Sequence, residues 1–123
     1  MVEVPPKVLG AMDDMWFRWV VDLGITGPDH GRGGKYLVLP PGWKGEVSEG
    51  YIVVRRPTFS NWIPWRSFLV DGDPKPGVDL VKRYTRVYPL SKADNPPPMK
   101  FVDLSCNFSK RHDHRRKSGR GGR

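Results

Sequence analysis

A chain of 123 residues has room for one domain with a thin core, and its 14 glycines and 13 prolines would interrupt every long helical run, which excludes a helix bundle. The formal net charge is +8, but residues 110–123 hold seven basic side chains against the single acid Asp113, so six of those charges sit there and the rest is nearly neutral. No run approaches the ~20 apolar residues of a membrane span, and a lone cysteine, Cys106, excludes an internal disulfide and a cysteine-built zinc site.

The opening Met1–Pro6 has neither a basic n-region nor an apolar h-region, so it does not read as a signal peptide, and the chain as it stands is expected in the cytoplasm. The first predicted strand, 16–22, lies in the aromatic and β-branched run Met15–Leu23. Its alternation sets Phe17, Trp19 and Val21 against Trp16, Arg18, Val20 and Asp22. The glycine-rich segment 24–34 follows as a flexible hairpin loop. Strands are expected at 35–39, stopped by Pro40-Pro41-Gly42, and at 51–56. Another is expected at 62–69, where Pro64 marks an edge or a bulge. Asp71-Gly72-Asp73-Pro74 is a turn, 78–86 a short helix, Asn95–Pro98 a stiff polyproline segment and 100–104 a last strand. The fold class this implies is mainly β: antiparallel, sandwich-like or jelly-roll-like, with one short helix. It makes one domain over 1–105, followed by a disordered basic tail over 106–123.

Each candidate site competes with a plainer reading. Gly31-Arg32-Gly33-Gly34 matches neither a dinucleotide nor a P-loop spacing, so it reads as a loop, and no cofactor is implied. His30 beside Asp29 reads as an exposed loop histidine rather than a base. Asp13-Asp14 reads as turn-capping carboxylates, and Asp71-Gly72-Asp73 lacks the later ligands of a calcium loop. His112-Asp113-His114 has no fixed geometry, so no metal site is assigned. Trp62 and Trp65 suit core packing as well as a ligand platform.

Arg18, Arg55, Arg56 and Arg66 lie on or beside predicted strands. Arg18 and Asp22, four apart on one predicted strand, would share a face with Trp16 and Val20. Charges on such a face are costly to bury unless paired or ligand-bound. Arg18, Asp22 and Trp16 are therefore the candidate ligand-binding residues, with Arg18 holding the carboxylate of a small anionic organic molecule and Trp16 stacking on it. In the tail, Lys110, Arg111, Arg115, Arg116 and Lys117 are candidates for weak, salt-sensitive contact with nucleic acid or another polyanion. Without interleaved aromatics they offer no base stacking.

Several stretches together resemble the bacterial family known as domain of unknown function 1254. They include Pro5-Pro6 with Val8-Leu9-Gly10, Asp13-Asp14 with Trp16-Phe17-Arg18, and Gly27-Pro28-Asp29 with Gly33-Gly34-Lys35. Leu39-Pro40-Pro41, Lys44–Val47, Arg56-Pro57-Thr58 and Asn61-Trp62 continue the pattern. The longest stretch is Phe68–Pro76, and Tyr88-Pro89-Leu90 and Asn95-Pro96-Pro97 follow it. The likeness covers about residues 3–105. It implies a β-rich, sandwich-like domain, longer in most members, often followed by a second β-rich domain and often exported; it implies no activity. Two departures give further expectations. Met1 falls where family members are already inside the domain, so an upstream strand-forming part is expected to be absent and the domain incomplete. The sheet edge this leaves would favour self-association through 15–23 or 35–39. From Cys106 on the likeness stops, as either a frameshift or an authentic basic extension would make it.

Two functions follow from different classes. One is a β-domain that binds or modifies a small organic ligand. The other is a basic, polyanion-binding module acting through the tail.

Overall fold

The computed structural model describes residues 1–105. Strands β1 (Val2–Val4), β2 (Val8–Asp14), β3 (Trp19–Gly24), β4 (Gly34–Leu39) and β5 (Ile52–Arg55) are followed by the short β6 (Asn61–Trp62) and β7 (Trp65–Ser67). Helix α1 (Lys75–Tyr84), strand β8 (Arg86–Val87) and a 3-10 turn (Leu90–Lys92) complete the described chain. The fold is mainly β with one short helix.

The strands make two sheets. The first has the order β5-β4-β1-β8, antiparallel except for the parallel pair β4–β5. The second is built on β2, with β3 along one edge and β6 then β7 along the other, all antiparallel. The two sheets face each other across one apolar cluster. Val2, Val4, Tyr36 and Val54 come from the first sheet, and Val8, Met12 and Leu23 from the second. Met1, Leu37, Leu39 and Tyr88 form a smaller cluster on the other face of β4. A strand covered on both faces needs an unbroken apolar run, and Tyr36-Leu37-Val38-Leu39 is one.

Gly10 explains how β7 closes onto β2: a side chain there would meet Trp65 Cβ at 2.5 Å and the Pro64 carbonyl at 2.6 Å. Pro64 sits between β6 and β7, where the ladder asks it only for an acceptor. Its carbonyl takes the Ala11 N–H at 3.1 Å.

Strands 35–39 and 51–56 and the helix form close to their expected places. The expected strand 62–69 is cut in two at Pro64. Strand 16–22 is shifted: Met15–Arg18 belong to a turn, because Asp14 draws the chain back on itself, and pairing resumes at Trp19. Arg18 therefore lies outside the strand that carries Asp22, and the shared face expected of them does not form. Helix α1 begins at Lys75 instead of 78. Proline at its first turn gives up no needed N–H, and the Asp73 carboxylate accepts the Lys75 N–H at 2.8 Å. The expected strand 100–104 is absent, and Phe101 and Val102 line a groove together with residues of α1 and β7. Strands β1 and β2 form where no strand is predicted. The helix is too short and polar to cross a membrane, and no helix among the described residues does.

Candidate functional site

Three places concentrate chemistry: the turn between β2 and β3, the loop between β3 and β4, and a cleft at Arg56.

At the first, the Asp14 side chain is fully buried yet turned toward the hairpin tip. Its Oδ1 accepts the backbone N–H groups of Trp16 (2.8 Å) and Arg18 (3.0 Å), and its Oδ2 accepts Arg18 Nε at 2.6 Å. Burial works against the charge. The hydrogen bonds from Arg18 and Trp16 and the guanidinium itself outweigh it and hold the carboxyl below its usual range. The turn displays Trp16 and Phe17, 75% and 77% exposed, with Phe17 in the left-handed region at φ 60°. Phe17 meets Trp62 edge to face at 5.4 Å. Trp16 and Arg18 are thus brought together, on the outside of the molecule. Asp22 is not with them: its Oδ1 accepts the Trp19 indole N–H at 2.9 Å.

The second place is a loop expected to be flexible, and the structure corrects that. Asp29 is buried inside it. Its Oδ1 accepts the Gly24 N–H at 2.8 Å and the Tyr36 hydroxyl, and its Oδ2 accepts the Gly33 N–H at 3.1 Å. Burial, then the hydrogen bond and charge of Asp29, push the Tyr36 hydroxyl well above the ordinary tyrosine value. Gly24 has φ 77°, and any side chain there would strike the Val8 carbonyl. His30 is exposed at φ 50° beside this network and outside it. The loop also blunts the edge of β3, since Gly24 N–H is taken by Asp29 and Gly27 lies against the Asp22 carbonyl. Strand β4 is paired on both sides.

The third place is a cleft of about 460 Å³ where the two sheets meet the segment after β8. Met12 and Ile63 come from the second-sheet side, Val2 and Val38 from the first, and Tyr88 and Pro89 from the segment beyond β8. Into this apolar wall come two polar side chains, Arg56 and Asn61. Arg56 follows the last residue of β5, where its N–H still reaches the Leu39 carbonyl at 3.4 Å. Its Nη1 donates to the Phe59 carbonyl at 2.7 Å and to Asn61 Oδ1 at 3.2 Å. Asn61 is fixed in turn, with Nδ2 donating to the Asp13 carbonyl at 3.3 Å. Arg56 Nε is buried and has no hydrogen-bond partner among the described residues. No salt bridge to an acid meets this guanidinium among the described residues. Tyr88, buried in the wall of the cleft, donates its hydroxyl to Glu3 Oε1 at 2.5 Å; burial and Glu3 push it up to about 12.

The sequence places Arg56 in the same group as Arg18, and the aromatic neighbours of Arg18 direct attention to the wrong end of that list for a cleft. The signal that would separate them is the asparagine five residues on from Arg56, paired across to Asp14. Lys110, Arg111, Arg115, Arg116 and Lys117 lie outside the described residues. Among the described residues no three His, Cys, Asp or Glu side chains gather as a metal site requires.

The family described as protein of unknown function (DUF1254) matches residues 1–89, and the chain belongs to it. No curated protein matches the chain.

Proposed function

We propose that this domain binds a small organic carboxylate in the cleft between the sheets, with Arg56 as its anchor. The observation that carries this reading is the buried Nε of Arg56, which has no hydrogen-bond partner and no neutralising acid among the described residues. An unpaired donor in such a place costs about 1–3 kcal/mol, and more when it is charged, so a partner that restores the pairing is strongly favoured. A carboxylate matches the guanidinium fork in shape and charge. Asn61 positions that fork, because its two amide atoms bind Arg56 on one side and the Asp13 carbonyl on the other. The apolar wall of Met12, Val38, Ile63 and Tyr88 suits a hydrocarbon or aromatic body, and about 460 Å³ lies within the range of small-molecule pockets.

The test uses octanoate against octanamide, which differ in charge and little in shape, in titration calorimetry. Octanoate is expected to bind about tenfold tighter than octanamide. Arg56→Met is expected to remove that preference and leave the fold in place. Equal binding of the two compounds by the parent chain would overturn the reading. A second reading rests on charge alone, the seven basic residues of 110–123 contacting a polyanion. Its mark is an affinity for heparin that falls steeply with salt and is indifferent to Arg56→Met.

A further inference from the structure

Apart from the Arg56 cleft, the domain has a groove of about 560 Å³ between α1 and β7. Trp65 from β7 and Val81 from α1, both packed against the core cluster, line it on the inner side. Val78, Phe101 and Val102 line it farther out and remain 45%, 39% and 66% exposed. Phe101 and Val102 belong to a segment without regular secondary structure, beyond the residues 1–89 that match the family. The wall is thus apolar and uncovered, and Ser105, the last described residue, lines it as well. Two charged side chains, Lys82 and Asp103, also line the groove; they are opposite in sign, so charge selects no occupant.

We propose that the chain's own continuation fills this groove, residues 106–110 turning back across it with the Phe108 ring seated between α1 and Phe101. The place where the described residues end selects this occupant. Three residues from Ser105 span about 10 Å at most, so Phe108 stays within reach of the groove in every conformation. Apart from Cys106, Phe108 is the one hydrophobic side chain of residues 106–123; the others are polar, charged or glycine. Seating the ring removes both it and the apolar wall from water. The short tether favours this ring over any free partner. It holds Phe108 beside the groove at an effective concentration in about the mM range, which a second copy in dilute solution does not match.

The experiment is NMR of the full chain with isotope-labelled valine methyls, together with the rate at which Cys106 reacts with a soluble disulfide reagent. Nuclear Overhauser contacts from the Phe108 ring to the methyls of Val78 and Val81 are expected, unchanged on dilution. Phe108→Ser should shift those methyl resonances and leave those of Val2, Val8 and Val54 in place. It should also speed the Cys106 reaction about tenfold. The substitution alters no charge beside the thiol, so the change in rate reports access. Phe108→Leu, which keeps a hydrocarbon side chain, should restore most of the protection. Absence of the ring-to-methyl contacts, with Cys106 reacting as fast as in a free peptide of residues 103–111, would overturn the proposal. Contacts found only between differently labelled chains would overturn it in favour of a second copy. Protection of Cys106 that Phe108→Ser leaves unchanged would overturn Phe108 as the anchor.

Discussion

The turn 14–18 and the loop 24–34 are built on the same device and put it to opposite uses. In each, one buried aspartate accepts two backbone N–H groups and one side-chain donor. Asp29 receives its side-chain hydrogen bond from Tyr36, at the centre of the core cluster, so it ties the loop inward and joins the two sheets. Asp14 receives its own from Arg18, which stands in solvent, so it ties the turn outward and holds aromatic residues away from the core. A buried carboxylate thus says nothing alone about function. Its donors decide: a core hydroxyl makes it structural, and an exposed guanidinium beside bare indoles makes it a mount.

This contrast breaks first at Asp29. Asp29→Ala leaves the Gly24 N–H and the Tyr36 hydroxyl without a partner in the interior, and should destabilise the domain by about 3–5 kcal/mol in chemical denaturation. A loss no greater than that of a surface substitution would show the loop to be as dispensable as its glycine content suggests.

Asp14→Asn should cost less, because water replaces its partners at an exposed turn. Its signature lies in pH. The folded carboxyl is held below its ordinary value near 3.8, so the unfolded chain binds the proton first. The stability this contributes is present above pH ~4 and is lost as pH falls through the folded value. The parent chain should therefore weaken across that acid window, and Asp14→Asn should show a shallower decline there. Matching acid limbs in the two proteins would mean that the Arg18 contact gives Asp14 no advantage.

The sequence carries much of the frame and little of this contrast. Strands β4 and β5 are legible because Tyr36–Leu39 and Ile52–Arg55 are apolar and β-branched runs bounded by proline and glycine. Strand β2 is not, because Gly10, Ala11, Asp13 and Asp14 are poor strand formers. They are extended only because β3, β6 and β7 pair with both their edges. The family resemblance reads true from the same glycines, prolines and aspartates that hide the strand. Arg18 reads as a strand residue from alternation alone, since nothing local reveals that Asp14 turns the chain first. Asp29 reads only as the neighbour of His30, because its actual partner, Tyr36, is found only once β4 has folded back. Arg56 is visible as a basic residue at a strand end, but its isolation from the acids of the described residues is a property of packing.

The smallest effect is also the sharpest test of the comparison. Phe17→Gly relieves a left-handed backbone that costs a residue with Cβ about 1–2 kcal/mol. Against this, glycine makes the unfolded chain freer by about 0.5–1 kcal/mol. It also forfeits the edge-to-face contact with Trp62, worth about 0.5–1.5 kcal/mol. These contributions nearly cancel, so thermal unfolding of Phe17→Gly should fall within about 0.5 kcal/mol of the parent. That near-zero value is informative because Phe17 is among the largest side chains of the domain, and a residue of that size placed for stability would cost about 3–5 kcal/mol to remove. A large loss would place Phe17 with Tyr36 as part of the core. A negligible one leaves its ring, held out by Asp14 at φ 60°, with no purpose inside the fold.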